Sequence, residues 1–552
     1  MGKLFRKKAA QEEPGQRSTS VVYAVLMLCA TLLICAAFRA SGSDPFQSQE
    51  QKEAIAASRE EAALTYGKAN IVPGDITDRN GTKLIYSEQN ENGDIITQYE
   101  DPFAYTQALG FYQDTSAGTP IRYLMAGKDE TRSWLYKADS DTTKGCTVRT
   151  SLDADLQKYS YNLLKGLCGE DQNGSIVVMD ARSGEVLTWA FYPSFEPAKL
   201  LAEYEKAAAG PDGEGITWMQ VASDQLGVPT YPLTHGKTPG SVFKILTSIA
   251  LLEKGGSDLS AGIYQFYDDA GYLSFGKDVI LPNAGGAVYG DLDFNSAFIN
   301  SVNVYFGWHA VNTIYKSGLD EVAQRCGLSP DKNQSKWFSL DFGNMVSGYA
   351  FDNGDDFQLA LTAIGQNNVQ MSAVHVAMIT SAIVNDGHVY EPHMMKAVYE
   401  NDELPNLLVG QSEYKPGAQV WEADPADYAD YMDPITNPET ASIIRRAMKG
   451  RGENLAEDYG YGYISAGGKS IAVGAKTGTG DIADEYGDNV ANNLWLSTFA
   501  PADNPQYVVV MNLSNVPYSD GTFEEGANLY PEVKKVYEKV YEKLGEDPQR
   551  EQ

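Results

Sequence analysis

One stretch near the middle of the chain combines a turn, a hydroxyl, an amine and an apolar run: Pro239-Gly240-Ser241-Val242-Phe243-Lys244-Ile245-Leu246. Pro-Gly is typical of a turn, and the apolar run that follows ends at Gly255-Gly256, a common signal for the end of a helix. Ser241 and Lys244 are three positions apart, which puts them on one face of a helix. The stretch therefore predicts a hydroxyl and an amine in contact at the start of a buried helix.

The same Ser-x-x-Lys spacing occurs elsewhere, so the spacing alone is a weak signal. Each further copy contains or runs into Gly or Pro, which argues against a helix start. These copies are Ser274/Lys277, Ser329/Lys332 and Ser412/Lys415. The context of Ser241 therefore distinguishes it from the other serines.

Two more motifs follow in a fixed order, Ser301-Val302-Asn303 and Lys476-Thr477-Gly478-Thr479. The series S-x-x-K, S-x-N and K-T-G is the signature of enzymes that form an acyl ester on a serine. In that chemistry Ser301 can relay a proton and Asn303 can bind a substrate amide. The alternative for this pair is a polar, solvent-facing stretch of a helix.

The K-T-G segment offers groups for binding a substrate. Lys476 supplies a positive charge for a terminal carboxylate, and Gly478 allows a close backbone approach. The backbone N–H groups of Ser241 and Thr479 are candidates for an oxyanion hole. The alternative role for Lys476 is that of a charged guard on an edge strand.

Lys244 is the candidate general base. A serine hydroxyl is a weak nucleophile at neutral pH and needs such a base. Burial in an apolar helix lowers the pKa of an ammonium group and makes the neutral amine accessible. The alternative is a lysine whose aliphatic stem covers apolar surface while its head reaches water.

Bulk composition excludes several classes of protein. The 552 residues carry a net charge of −31 and no basic run beyond the first few residues, which argues against nucleic-acid binding. The five histidines and five cysteines show no metal-ligand spacing, so neither a metal nor another cofactor is expected. Cys146 and Cys168 could form a disulfide, although free thiols fit the odd number of cysteines after the N-terminal region better.

One segment predicts a membrane anchor. Residues 21–38 are about eighteen residues without a charge, close to the minimum for crossing a bilayer. Basic residues precede this segment, which predicts a cytoplasmic N-terminus and an extracytoplasmic catalytic domain. A cleaved signal peptide is the alternative. The expected location is therefore the cell membrane, with a single crossing.

The order of predicted elements favours an α+β fold. Two strand patterns near residues 175–190 and three near residues 471–511 flank a mostly helical middle, which includes a helical stretch from Leu359 to Val384. They predict one antiparallel sheet of five strands, covered by a final helix over Tyr530 to Leu544. The predicted parts are a tail (1–20), the anchor (21–38), a linker with a small, irregular non-catalytic domain (39–144), a catalytic domain (145–545) and a second tail (546–552). Within the small domain a turn at Asn80-Gly81 lies between short strand patterns, and the sequence after it is strand-poor.

With these motifs the chain resembles the class B penicillin-binding proteins, which are membrane-anchored D,D-transpeptidases. Residues 109–112 are similar to the penicillin-binding protein A subgroup. The other matching segments are Gly74 to Gly81, Ser151 to Gln157, Val177 to Leu187, Tyr192 to Phe195, Ala363 to Gln366 and Trp495 to Pro501.

The resemblance implies a transpeptidase fold, with a five-stranded antiparallel sheet flanked by helices and an all-α subregion. It implies Ser241, Lys244 and Ser301 as catalytic residues, and a substrate-binding set of Asn303, Lys476, Thr477, Gly478 and Thr479. Ser241 would be acylated by a peptidoglycan stem peptide from a lipid-linked precursor, or by a β-lactam inhibitor. A membrane glycan polymerase is the implied partner.

The sequence departs from the family pattern at three positions. Val242 replaces the usual Thr, Gly480 stands where Ala is common, and Asn367 replaces a Gly. None of these changes removes a catalytic group, and they bear on β-lactam affinity more than on activity.

Two alternatives share the motifs: a β-lactamase of the same fold, and a β-lactam sensor or scaffold with weak catalysis. The roughly 170 residues between Asn303 and Lys476 exceed the compact arrangement of a β-lactamase.

Overall fold

The structure is a computed structural model, and residues 70–552 form one compact unit in it. It describes residues 74–89, 95–110, 146–210, 216, 218–228, 236–330, 338–339, 343–344, 347–349, 355–399, 419–429, 431–483, 489–518 and 525–545. The predicted anchor at residues 21–38 lies outside these ranges. Within them, no helix is long and apolar enough to cross a membrane.

The helices of the described residues are α1 (Pro102–Leu109), α2 (Ala154–Leu167), α3 (Pro197–Ala208), α4 (Trp218–Leu226), α5 (Lys244–Gly255), α6 (Phe294–Ile299), α7 (Asn303–His309), α8 (Tyr315–Arg325), α9 (Asp356–Ala363), α10 (Ala373–Val384), α11 (Pro438–Glu457) and α12 (Tyr530–Leu544). The strands are β1 (Ile76–Thr77), β2 (Lys83–Gln89), β3 (Ile95–Tyr99), β4 (Thr147–Thr150), β5 (Asn173–Asp180), β6 (Val186–Tyr192), β7 (Phe266–Asp268), β8 (Tyr272–Ser274), β9 (Ile280–Pro282), β10 (Gly290–Leu292), β11 (Phe338–Ser339), β12 (Gly343–Asn344), β13 (Met395–Tyr399), β14 (Gln419–Glu422), β15 (Ile464–Ala466), β16 (Lys469–Ile471), β17 (Gly474–Ala483), β18 (Asn489–Ala500) and β19 (Tyr507–Pro517).

The predicted five-stranded antiparallel sheet is present, in the order β17-β18-β19-β5-β6. Helices cover both of its faces, which explains its nearly continuous apolar strands. Ser497 and Thr498 are consecutive on β18, so their side chains point to opposite faces. Ser497 Oγ is hydrogen-bonded to Thr380 Oγ1 of α10 at 2.6 Å, and Thr498 Oγ1 to Tyr537 of α12 at 3.1 Å. The final helix therefore packs on this sheet, as predicted.

A second, six-stranded sheet was not predicted. Its order is β14-β13-β4-β1-β2-β3, with β1 and β4 parallel. Strands β1 and β2 lie on either side of the Asn80-Gly81 turn, where the sequence predicts short strands. The expectation of strand-poor sequence after that turn is wrong for residues 95–99, which form β3. Strands from both sides of the predicted boundary at residues 144/145 share this sheet. That boundary remains a prediction.

The predicted helical stretch from Leu359 to Val384 is two helices, α9 and α10. The break falls at Gly365, whose φ is +77° and whose carbonyl oxygen accepts a hydrogen bond from the Gly240 N–H at 3.0 Å. A Cβ at position 365 would lie 2.0 Å from the Gly240 carbonyl oxygen. Only glycine fits this approach, which places the α9–α10 loop against Gly240, the residue before Ser241.

The alternative that the sequence left open for the cysteines is settled. Cys146 is buried and Cys168 is half-buried, and no disulfide joins them.

Candidate active site

Ser241 lies on a 3₁₀ turn, Gly240–Phe243, and the α-helix α5 begins only at Lys244. The expectation that Ser241 itself opens the α-helix is therefore wrong by one turn. The Lys244 N–H donates to the Ser241 carbonyl oxygen, as in an i→i+3 turn. Side chains at i and i+3 of such a turn are eclipsed, so Ser241 and Lys244 still share one face.

The turn carrying Ser241 packs tightly against β17, the strand that contains the K-T-G motif. Gly240 has a φ of +52°, and a Cβ there would lie 2.2 Å from the Thr479 carbonyl oxygen. A Cβ at Gly478 would lie 2.3 Å from the Pro239 carbonyl oxygen. Glycine at both positions lets the two backbones touch, which brings Ser241 beside Thr479. This closeness suits an oxyanion hole, and that role remains a prediction.

Lys244 is fully buried, with 0 % of its surface exposed. Its Nζ is 2.6 Å from the Ser301 carbonyl oxygen, 2.8 Å from Asn303 Oδ1 and 3.3 Å from Ser301 Oγ. Burial, with a smaller contribution from the charge of Arg451, holds the pKa of Lys244 well below its usual value. The snorkelling alternative is therefore wrong.

Lys244 Nζ donates to all three of these oxygens, which fix the amine in place. Of the three, only the Ser301 hydroxyl carries a proton that it can exchange with the amine. The site therefore holds Lys244 in surroundings where it can act as a base.

Ser301 and Asn303 are not a pair on one continuous helix. Ser301 lies in the turn between α6 and α7 with a φ of +55°, and Asn303 is the first residue of α7. The preceding loop fixes them, because Asn303 Nδ2 donates to the Pro282 carbonyl at 2.9 Å and Asn283 Oδ1 accepts from the Val304 N–H at 3.0 Å. A left-handed conformation is unfavourable for serine, and such strain is often found at functional sites.

Lys476 is also fully buried on β17. Its Nζ donates to Ser301 Oγ at 2.8 Å and to the Thr477 carbonyl at 3.2 Å. Burial first, then the charges of Lys244 and Arg451, hold the pKa of Lys476 well below its usual value. A solvent-exposed edge-strand guard would have none of these features. Lys476 therefore belongs to the same polar cluster as Lys244, with Ser301 Oγ between the two amines.

The two threonines of K-T-G-T have different surroundings. Thr477 is buried, and its Oγ1 accepts a hydrogen bond from Arg451 Nη2 at 3.3 Å. Thr479 is half-buried, and its Oγ1 accepts from the Gly526 N–H at 3.2 Å.

Arg451, on α11, is a member of the site that the sequence analysis missed. Its side chain is 5 % exposed and reaches Thr477 from behind β17. A signal was present in the sequence, because Ile444, Met448, Arg451 and Leu455 follow the helical period and all are buried. An arginine at a core position of an amphipathic helix is unusual and indicates a specific structural or functional role.

The electrostatics of the site favour an anionic ligand. Lys244, Lys476 and Arg451 are buried together, and among the residues that the structure describes no carboxylate forms an ion pair or hydrogen bond with any of them. Ser241, Ser301, Asn303 and Thr479 are only half-buried and line the accessible side. A buried charge without a partner is costly, so the arrangement suits a ligand that brings its own negative charge.

The residues that the sequence proposed therefore lie in one region, although within the described residues no hydrogen bond joins Ser241 Oγ to Lys244 Nζ. The arrangement has a serine on a tight turn, two buried amines joined through a second hydroxyl, and backbone N–H groups near the nucleophile. It can activate Ser241 for attack on a carbonyl group that lies close to a negatively charged end.

Comparison with known proteins defines the class of this chain. The family model described as the penicillin-binding protein transpeptidase domain matches residues 174–536. The chain belongs to this family, and it is a serine transpeptidase of the class B penicillin-binding proteins.

Its relatives include the peptidoglycan D,D-transpeptidase PbpA of Mycolicibacterium smegmatis, which is 22 % identical over 90 % of this chain and 92 % of the relative. PbpA of Mycobacterium tuberculosis is 23 % identical over 80 % of this chain and 84 % of the relative. Penicillin-binding protein A from M. tuberculosis, solved as a ceftriaxone acyl-enzyme, has a TM-score of 0.67 at 22 % identity, covering 86 % of this chain and 99 % of that structure. The chain is thus PbpA-like, and the structural match extends over most of its length.

The structure explains one departure from the family pattern. Gly480 stands where Ala is common, and here a Cβ at position 480 would lie 2.4 Å from the Thr238 carbonyl oxygen. Trp495 Nε1 donates to the same oxygen at 2.9 Å, which fixes the loop in place. The loop that leads to Ser241 is therefore closer to β17 than an alanine would permit.

We expect Gly480→Ala to lower the free energy of unfolding by about 1–3 kcal/mol, the range for overpacking a close contact. It should also slow acylation by penicillin, because relief of the clash moves the turn of Ser241. Gly166→Ala is the matched control, since its Cβ would meet no atom within 4 Å and it lies in helix α2. Thermal melts and acylation rates check both variants. If Gly480→Ala changed neither stability nor acylation rate, the explanation that a Cβ does not fit at position 480 would be wrong.

Proposed function

We propose that this enzyme cross-links peptidoglycan stem peptides as a D,D-transpeptidase, with Ser241 as the nucleophile. One observation carries the proposal: the Ser301 hydroxyl links the two buried amines of Lys244 and Lys476, and Lys244 ends the turn that carries Ser241. This arrangement couples a base for the nucleophile to a positive charge for the substrate. The names of the PbpA relatives support the same activity.

The first half-reaction forms an ester. Ser241 Oγ attacks the carbonyl carbon of the penultimate D-Ala, and its proton passes to neutral Lys244. The backbone N–H groups of Ser241 and Thr479 stabilise the resulting oxyanion. The C–N bond then breaks, and the departing D-Ala nitrogen takes a proton back from the Lys244–Ser301 pair. The product is an acyl-enzyme and free D-Ala.

The second half-reaction forms the cross-link and regenerates the free enzyme. An amine of a neighbouring stem peptide attacks the ester carbonyl and loses a proton to the same basic group. The ester bond to Ser241 breaks, the hydroxyl is regenerated and a cross-link amide is formed. The stem peptide that loses D-Ala is the donor substrate, and Asn303 would bind one of its amides. The residues of β17 that would bind the donor are Lys476, Thr477, Gly478 and Thr479.

Location and partner follow from the same proposal. We infer a single crossing of the cell membrane by residues 21–38, with the catalytic domain outside the cytoplasm. The charge distribution of the N-terminal sequence supports this orientation. A membrane glycan polymerase would supply the strands that are cross-linked, since the lipid-linked precursor must be polymerised close to this site.

The test uses two donors that end in D-Ala-D-Ala, one with a free carboxylate and one with an amidated C-terminus, together with an acceptor amine. We expect the wild type to release D-Ala and form the cross-linked product from the first donor, with inhibition by penicillin. Lys476→Ala should lose about 10-fold or more of the second-order rate with the carboxylate donor, and little with the amide, because a hydrogen bond to a charged group contributes about 1.5–3 kcal/mol.

Mass analysis of the products and D-Ala release measure both quantities. Hydrolysis of the donor without transfer to the amine would contradict the transpeptidase assignment. An equal loss with both donors would show that Lys476 serves the chemistry or the fold rather than the carboxylate.

A further inference from the structure

We propose that Arg451 is a positioning residue for donor recognition, acting through the hydroxyl of Thr477. Its guanidinium orients that hydroxyl toward the terminal carboxylate and supplies a permanent positive charge behind it. The inference rests on the proposed function, in which β17 binds the carboxylate end of the donor.

The first argument is the way in which Arg451 is held. Nη1 donates to Asn454 Oδ1 at 2.5 Å and Nη2 to Thr477 Oγ1 at 3.3 Å, and the guanidinium lies 5.3 Å from the Tyr459 ring. Its neighbour Gly452 packs on the next segment so closely that a Cβ would lie 1.8 Å from the Val473 carbonyl oxygen. The arginine is therefore fixed in position against the strand that it serves.

The second argument is hydrogen-bond direction. A threonine hydroxyl has one hydrogen and can accept at its oxygen. A guanidinium only donates, so Thr477 Oγ1 must be the acceptor in its bond with Arg451. The hydroxyl hydrogen of Thr477 then remains free to bond to another acceptor. The terminal carboxylate of the substrate, on the accessible side of β17, can only accept hydrogen bonds and would be that acceptor.

The third argument concerns charge. Arg451 is 5 % exposed, its Nε has no hydrogen-bond partner, and no carboxylate of the described ranges pairs with it. Burying a cation in this way is unfavourable unless an anion arrives. Both lysines are fully buried, and burial lowers the pKa of each amine well below its usual value. Arginine keeps its charge at any working pH, so it can attract the carboxylate while Lys244 remains a neutral base.

A purely structural role is the competing explanation, and a double-mutant cycle distinguishes the two. The variants are Arg451→Gln, Thr477→Val and the double variant, and the substrates are penicillin and its methyl ester. We expect Arg451→Gln to lower the second-order acylation rate with penicillin by about 10-fold or more and to change the rate with the ester little. In the Thr477→Val protein, Arg451→Gln should lower the acylation rate with penicillin by a clearly smaller factor, because the hydroxyl through which Arg451 acts is absent.

Two further variants sharpen the test. Arg446→Gln removes the same charge from an exposed position of helix α11 and should leave the penicillin-to-ester ratio unchanged. Arg451→Lys keeps the charge and should retain part of the preference for penicillin over its methyl ester, even if Arg451→Gln folds poorly. Thermal melts monitor folding of each variant.

The inference is overturned if Arg451→Gln slows penicillin and its ester equally, or if the effects of Arg451→Gln and Thr477→Val simply add. Both outcomes concern acylation by penicillin alone and need no peptidoglycan donor. A failure of the cross-linking assay with normal penicillin ratios would instead count against the proposed function.

Discussion

Substituting Ser241 by alanine is expected to abolish covalent labelling by penicillin. The acyl bond forms on Ser241 Oγ, and alanine has no atom that could replace it. The backbone turn that carries Ser241 depends on Gly240, Gly365 and the contact with β17, none of which the substitution changes. The loss should therefore occur without a loss of stability.

A fluorescent penicillin followed by mass mapping of the labelled peptide measures this effect. Ser274→Ala is the matched control, because Ser274 also satisfies the Ser-x-x-Lys spacing but is exposed at the end of β8. The control should label like the wild type. Attachment to Ser274, Ser329 or Ser412 would overturn the assignment of the nucleophile.

Local sequence signals predicted the five-stranded sheet and the members of the site other than Arg451. The strands β5 and β19 each contain an unbroken apolar run, Ile176–Met179 and Tyr507–Met511, because both faces of the sheet are covered there, and such runs are visible in the sequence. Helix α2 also begins at a local signal, because the Asp153 carboxylate is its N-cap and accepts from the Leu156 N–H. The three motifs carry their chemistry in a few adjacent residues.

The features that were missed depend on contacts between distant parts of the chain. The six-stranded sheet joins β1 with β4, and β4 with β13, whose residues are far apart in sequence. The α9–α10 break is enforced by the approach of Gly365 to Gly240, while the apolar pattern continues through it. Arg451 belongs to no motif, and its place in the site depends on its contact with Thr477, 26 positions further along the chain.

The second large effect is expected at Lys244. Lys244→Ala should lower the second-order rate of acylation by 10²-fold or more, the usual contribution of a positioned base. The residue is fully buried among Ser301, Asn303 and the Phe306 ring, 5.4 Å from its Nζ, and none of these three groups is a base that could replace it. The rate is measured by stopped-flow mixing with a fluorescent penicillin.

Chemical rescue separates a base from a packed side chain. The alanine variant leaves space where the lysine was, so added small primary amines should restore part of the rate. Lys244→Met is the matched control, because it fills the same space without a base and should remain slow in the presence of amine. Both variants must keep a cooperative thermal transition for the comparison to hold.

The pH dependence of rescue follows from the state in which the base acts. Burial keeps the pKa of Lys244 well below that of a free amine, so in the wild type the neutral base persists to lower pH and the rate falls only as pH drops through that depressed pKa. An added amine has its ordinary, higher pKa and is mostly protonated at neutral pH. Rescue of Lys244→Ala should therefore increase as pH rises toward the pKa of the added amine, at pH values where the wild-type rate is already level.

If the alanine variant acylates at a near-native rate, or if amines rescue the methionine variant equally well, Lys244 is a packing residue and the proton of Ser241 goes elsewhere.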